Sequence, residues 1–206
     1  MKNIGLIGCG NIAETYFRSQ DYFNNINFIA CSDKFPEAAK KCAAQYKIKS
    51  LTVDEILNDS DVDVILNLTI PQAHYEISKL ALESGKHVYS EKPMSIKYDE
   101  AKELVELANK KNLYIGNAPD TFLGGGGQVV RQFIDKDEIG QVLTGNFIFA
   151  FPGVQEFHPN PDSWFQSGGC PVIDMGPYFF TTLVNLLGPA KNVRSRGKKF
   201  SNQRDY

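Results

Sequence analysis

The run Gly8-Cys9-Gly10-Asn11-Ile12-Ala13 constrains this chain more than any other feature. It fits the pattern G-x-G-x-x-A and stands between a strand-like segment, Ile4 to Ile7, and a helical one from about Ile12 to Arg18. The first glycine permits a tight turn, the second lets a bound pyrophosphate approach the backbone, and Ala13 lets helix and strand pack closely. The start of the helix then offers N–H groups and the positive end of its dipole to an anion. Gly8, Gly10, Asn11 and Ile12 are therefore candidates for holding a dinucleotide. Asp33 lies 20 residues after Ala13, at the end of the second strand, where a carboxylate can accept hydrogen bonds from a ribose diol. An acid there points to NAD, with NADP the alternative because Lys34 would soften the repulsion of a 2′-phosphate. Two other readings compete: a methyltransferase with a similar loop, and a structural turn beside a solvated aspartate.

The first 120 residues alternate short apolar runs with amphipathic segments, as parallel strands with helical crossovers do. After the glycine run, Phe28 to Cys31 reads as a strand, and Pro36 opens a helix running to about Tyr46. Val62 to Leu68 is a third strand. The helix after it should bury Ile77, Leu80, Ala81 and Ser84 and stop at Gly85. His87 to Ser90 is another strand, followed by a helix with Ala101, Leu104, Val105 and Ala108 on one face. Leu113 to Gly116 closes the series. The expected fold is α/β: a doubly wound (Rossmann) parallel sheet over residues 1–119, then a partial α+β substrate domain over residues 120–206.

Beyond Pro119 the character changes. Gly124 to Gly127 is a linker or a helix entry, leading into a helix from about Gln128 to Ile134. Val142 to Phe151 alternates like a strand, and Asp174 to Leu187 reads as an apolar helix stopped by Gly188-Pro189. The polar stretch from Asn192 to Tyr206 offers little to cover an unfinished sheet, so self-association or weak order is expected beyond about Ala190.

A net charge of −2 argues against nucleic-acid and anionic-membrane partners, which select for basic surface. No apolar stretch approaches the roughly 20 residues of a membrane span, and Met1-Lys2-Asn3 runs straight into the first strand without a leader. The four cysteines, Cys9, Cys31, Cys42 and Cys170, form no C-x-x-C pair and have no histidine at ligand spacing. They read as free thiols of a reducing compartment, so a cytoplasmic location is expected and a metal is not. His158 has no second ligand at metal spacing.

Three further stretches carry a family resemblance. Gly85-Lys86-His87-Val88-Tyr89-Ser90-Glu91-Lys92-Pro93 resembles the G-K-H-V-x-x-E-K-P segment of the glucose-fructose oxidoreductase and inositol dehydrogenase family, Gfo/Idh/MocA. Thr69-Ile70-Pro71-Gln72-Ala73-His74 is similar to its T-x-P-x-x-H turn, and Gly168 to Tyr178 to its G-G-x-x-x-D-x-G-x-H segment. The resemblance implies an NAD(P)-dependent oxidoreductase acting on CH–OH groups of a sugar, polyol or related small molecule. It places Thr69, Pro71, His74 and Glu91 beside the cofactor, and Lys92 near both nicotinamide and substrate hydroxyl. Asp174 and Tyr178 would serve as further catalytic and substrate-binding residues. Many members carry histidine where this chain has Tyr178, so proton transfer is assigned first to Lys92. Family members also continue further, which marks this chain as an N-terminal portion and implies a homo-oligomer once the second domain is complete.

Each of these residues has a plainer reading. Lys92 could be a surface turn lysine, and Pro93 either a rigid turn or a cis bond. Asp174 could simply cap the apolar helix it precedes, and Tyr178 could be a core tyrosine. His74 suits cofactor contact or a backbone bond at a helix entry. Asn117 ends a strand where open parallel sheets place ligands. Trp164, in a loop from His158 to Phe165, could stack on a sugar ring or anchor packing. A protein that binds the nicotinamide without turning it over, such as a sensor, is the alternative function.

Overall fold

The computed structural model describes residues 1–150 and 171–197, and the side chain of Pro171 is not among the described groups. The chain divides into two units, Met1–Ala118 and Pro119–Tyr206.

The first unit is a six-stranded sheet in the order β3-β2-β1-β4-β5-β6. Its strands are β1 (Lys2–Ile7), β2 (Ile26–Ser32), β3 (Lys49–Ser50), β4 (Val64–Asn67), β5 (His87–Ser90) and β6 (Ile115–Asn117). Every pairing is parallel. The chain runs outward from β1 to β3, returns to lay β4 against the other side of β1, and then runs outward to β6. Between β1 and β4 the crossovers diverge to opposite sides, which opens a crevice at the carboxyl ends of those strands. Register places the candidate residues on that edge. Ile7 pairs with Ser32 and with Asn67, Asn67 with Ser90, and Ser90 with Asn117, so these five form one row across the sheet.

Helices cover both faces, which is why the strands read as nearly continuous apolar runs. They are α1 (Ala13–Ser19), α2 (Pro36–Tyr46), α3 (Val53–Asn58), α4 (Pro71–Glu83) and α5 (Tyr98–Lys110). One core joins Ile7, Ile65 and Val88 to Ile56, Leu82 and Leu104. The other joins Leu6 and Leu66 to Phe17, Phe28, Cys31 and Cys42, with Phe17 stacked on Tyr46 at 3.8 Å between ring centroids. Successive side chains of a strand point to opposite faces, so the neighbours Ile65 and Leu66 of β4 belong to different cores.

Two elements lie outside the sequence-based expectation: β3 and α3. The helix had a local signal, since Thr52 and Glu55 form a reciprocal capping box at its start. The inner face of α4 also differs from the expected one. It buries His74, Ser78, Ala81 and Leu82, while Leu80 and Ser84 are exposed. Apolar spacing misled here because the helix turns two polar side chains inward, Ser78 toward Asn67 of β4 and His74 toward the carbonyls of Thr69 and Pro93.

In the second unit a 3-10 turn (Thr121–Leu123) leads to α6 (Gly125–Asp135), which begins inside the glycine run, and α7 (Pro171–Asp174) and α8 (Gly176–Leu187) follow. Arg131 of α6 donates to the carbonyls of Asn185 and Leu186, satisfying the open end of α8, which stops at Gly188. No strand forms over 142–150, because among the described residues no neighbouring strand pairs with it. Instead Phe147 and Phe149 pack on Phe179, with ring centroids 6.2 and 5.5 Å away. Asp174 is not the cap of the long helix. It ends α7, and Met175 caps α8 without a side-chain bond.

Candidate functional site

The glycine loop is built by steric demand at one glycine and by open space at the other. Gly8 has φ +104°, and a Cβ there would lie 2.5 Å from the Leu68 carbonyl oxygen. Its N–H donates to Ser32 O at 2.9 Å, tying the loop to the end of β2. At Gly10 an added Cβ would meet no atom within 4 Å. The fold itself therefore makes no steric demand for glycine at that position, and the space over its backbone is open. Asn11 and Ile12 are exposed beside it, and Ala13 is buried against the sheet.

Asp33 is fixed by the loop it serves. Its Oδ2 accepts from the Cys9 N–H at 2.7 Å, and its Oδ1 accepts from the Phe35 N–H at 2.8 Å. Each carboxylate oxygen has a second lone pair, so these bonds fix the group without exhausting its capacity to accept.

Across the crevice, Asn67 organises the turn after β4. Its side chain is fully buried, and Nδ2 donates to His74 O at 3.1 Å and to Ser78 Oγ at 3.0 Å. Its Oδ1 accepts from the Thr69 N–H at 3.2 Å and from the Thr69 hydroxyl at 2.7 Å. His74 is buried as well. Its Nδ1 lies 2.6 Å from Pro93 O and its Nε2 2.9 Å from Thr69 O. With main-chain oxygens against both ring nitrogens, His74 braces two turns together, and its imidazole is not presented to a ligand. Thr69 is half-buried and Pro71 opens α4 at its first turn.

The turn after β5 is tied in the same way. Glu91 N donates to Asn67 O at 2.9 Å. The Glu91 carboxylate accepts from the Tyr16 hydroxyl at 2.8 Å and from the Lys92 N–H at 2.9 Å. Tyr16 lies on α1, so Glu91 links the helix that follows the glycine loop to the backbone of Lys92. Lys92 is half-buried, and the bond between Lys92 and Pro93 is cis. Asn117 Nδ2 donates to the carbonyls of Ser90 and Glu91, both at 2.9 Å, so this side chain holds the same turn from β6.

Gly8, Gly10, Asp33, Thr69, Glu91 and Lys92 thus gather at one edge of the sheet. Asn67, Ser78 and Tyr16 were not anticipated. Asn67 carried a faint signal, as the polar end of an apolar strand; Tyr16 and Ser78 carried none, because their partners are distant in sequence. In the second unit Asp174 and Tyr178 are half-buried, with the helix break at Met175 between them. Trp164 and His158 lie outside the described residues.

Residues 2–118 match the family model described as oxidoreductase family, NAD-binding Rossmann fold, and residues 128–205 match the GFO/IDH/MocA C-terminal domain. The chain belongs to the Gfo/Idh/MocA oxidoreductase family. An uncharacterized oxidoreductase of Schizosaccharomyces pombe is 30% identical to it over 165 residues, 77% of this chain and 43% of that protein. The dTDP-3,4-didehydro-2,6-dideoxy-alpha-D-glucose 3-reductase of Saccharopolyspora spinosa is 28% identical over 191 residues, covering 90% and 56%. The crystal structure of a 3-ketoreductase from Actinomadura kijaniata, in complex with NADP and TDP-benzene, has a similar fold. Its TM-score is 0.80 at 24% identity, covering 91% of this chain and 57% of that one. This Gfo/Idh/MocA chain spans about half the length of the curated relatives it matches. Family membership sets aside the methyltransferase reading. No helix among the described residues is long and apolar enough to cross a membrane.

Proposed function

We propose that this Gfo/Idh/MocA chain binds NAD(H), in preference to NADP(H), and serves an oxidoreductase that acts on a sugar, polyol or related hydroxylated small molecule. The observation that carries the reading is the open space over Gly10 beside an Asp33 carboxylate locked to the loop's own N–H. Gly8, Gly10, Asn11 and Ile12 would take the pyrophosphate and Asp33 the ribose diol. Thr69 and Glu91 would flank the cofactor, with His74 and Asn117 holding their turns from behind. Bound nicotinamide supplies the hydride acceptor or donor.

Lys92 is the proposed proton-handling group. Its ammonium hydrogen-bonds a substrate oxygen, and as an amine it takes the hydroxyl proton that an alcohol must lose on oxidation. The Glu91 carboxylate fixes the Lys92 backbone, which fixes the point from which the side chain reaches out. Asp174 and Tyr178 are proposed as further catalytic and substrate-contacting groups, with Trp164 as a sugar-stacking residue, on the family resemblance. The sugar-nucleotide reductase among its relatives supports that substrate class.

The test is a Lys92→Ala variant assayed by the absorbance of reduced nicotinamide against a panel of sugars and polyols. Turnover should fall by roughly 10²–10⁴-fold, the usual worth of general acid–base catalysis, while NADH affinity changes little. Near-native turnover in the variant would refute the role of Lys92. NADH binding with no substrate-dependent oxidation, even with the second domain completed, would favour a cofactor-binding sensor.

A further inference from the structure

Three cysteines far apart in sequence meet beside the glycine loop. Cys9 belongs to the loop after β1, Cys31 to β2 and Cys42 to the middle of α2. Their three Sγ atoms all lie within 4.8 Å of one another, and none of the three is in a disulfide. Cys31 is fully buried, Cys42 nearly so, and Cys9 half-buried, so the cluster has one side toward the surface. Parallel register brings them together. Ile7 pairs with Ser32, which sets the turn after β1 over the end of β2, and α2 returns across the same face. Spacings of 22 and 11 residues (31 − 9 and 42 − 31) hide this from any search for short cysteine motifs.

The simplest account of buried cysteines is small apolar packing, and Cys31 and Cys42 do belong to a core cluster. Packing alone, however, does not require three sulfurs to converge on a common point. A metal–thiolate bond of about 2.3 Å sets three sulfurs around one ion roughly 4 Å apart. The three thiols need only a modest contraction to reach that arrangement. We propose that Cys9, Cys31 and Cys42 form a binding site for a single thiophilic d¹⁰ metal ion of the Cu⁺ or Zn²⁺ class.

The donor set selects the ion. Soft thiolates favour Cu⁺ and Zn²⁺, whereas Mg²⁺ and Ca²⁺ require oxygen ligands. The cluster contains no carboxylate or imidazole, and the nearby Asp33 carboxylate already accepts two backbone N–H bonds. Three sulfurs complete a trigonal Cu⁺ site, while Zn²⁺ would add a water on the side of half-buried Cys9. Binding forms three metal–sulfur bonds and releases three thiol protons to solvent, with no change of oxidation state. This site opposes the expectation of inert free thiols drawn from cysteine spacing. It does not depend on the NAD reading, since it uses the sulfur of Cys9 and not the loop's N–H groups.

The experiment uses the full chain carrying Cys170→Ser, so that only the trio remains, reduced and stripped of metal. Zn²⁺ and Cu⁺ are titrated separately against chromophoric chelators, with native mass spectrometry to count ions. One ion per chain is expected, together with a rise in thermal stability on loading. Binding by Cu⁺ alone would assign the trigonal site, and binding by Zn²⁺ the water-completed one. Cys42→Ser should abolish binding. Cys9→Ser should do the same, and because Cys9 sits in a half-buried loop its fold can be verified by circular dichroism. Failure of folded protein to bind either ion stoichiometrically, or binding that survives the loss of Cys9, would overturn the proposal.

Discussion

The Oδ2 atom of Asp33 accepts a hydrogen bond from the backbone N–H of Cys9 at 2.7 Å. The residue proposed to select the cofactor is thus also one that shapes the loop proposed to hold its phosphates. Removing the carboxylate should therefore have two effects. Asp33→Ala should weaken NADH binding roughly ten- to a hundredfold, the worth of a charge-assisted hydrogen bond, and destabilise the loop by about 1–3 kcal/mol. Fluorescence titration with both cofactors checks the first effect and thermal melting the second. Tighter binding of NADPH than NADH by the unmodified chain would defeat the assignment.

Gly8 and Gly10 should separate stability from binding. Gly8→Ala forces a side chain into a left-handed backbone position and against the Leu68 carbonyl, so the variant should lose stability or fail to accumulate. Gly10→Ala meets nothing in the protein, so its unfolding free energy should stay within the change of a surface substitution, about 0.5 kcal/mol. Its affinity for NADH should nonetheless drop at least about tenfold, since the added methyl would occupy the space proposed for the pyrophosphate. Unchanged affinity in Gly10→Ala would mean that the phosphates lie elsewhere.

Asn67 should behave as a buried positioning residue. Asn67→Ala strips the partners from Thr69 N–H, the Thr69 hydroxyl, His74 O and Ser78 Oγ. Each buried polar group left unsatisfied costs about 1–3 kcal/mol, so a loss of roughly 3 kcal/mol or more is expected in denaturant unfolding. Asn67→Asp keeps the acceptor toward Thr69 but sets a buried carboxylate oxygen against the His74 carbonyl, and should cost at least as much. A neutral Asn67→Ala would show that water replaces the network.

Acid should loosen the first unit through its capped and paired carboxylates. The Thr52 backbone N–H holds the Glu55 carboxyl below its ordinary value. The Asp61 N–H does so for Asp59, and the Asn3 N–H followed by Lys2 for Asp63. A carboxylate whose pKa is lower folded than unfolded contributes stability above its ordinary pKa. That contribution is lost as pH falls through the folded value. Melting temperature should be flat from neutrality to about pH 5 and decline below about pH 4. Glu55→Gln removes the titrating group itself, so it should lower the melting temperature at neutral pH and shrink the acid-dependent part. An identical acid decline in Glu55→Gln would remove Glu55 from the account.

The amino-acid sequence by itself determined the parallel α/β architecture of the first unit. Apolar runs of strand length, helix periods between them and a glycine turn in register are local patterns, each readable within a dozen residues. Gly8 and Asp33 were legible for the same reason, as one turn and one strand end. The Gfo/Idh/MocA motifs likewise named Lys92 and Glu91. Tertiary structure alone decided what braces them. Asn67, Tyr16 and Ser78 act through partners that only the sheet and its crossovers bring near. His74 turned out to be a brace because carbonyls from two separate turns close on its ring. The same physics explains the misread elements. The stretch over 142–150 alternates like a strand but finds no neighbour to pair with among the described residues, and strand structure is stabilised between segments rather than within one. The face of α4 followed the buried partners of Ser78 and His74 instead of apolar spacing. Cys9, Cys31 and Cys42 make the sharpest case, since no local pattern joins them. They meet because parallel register stacks a loop, a strand and a helix on one face.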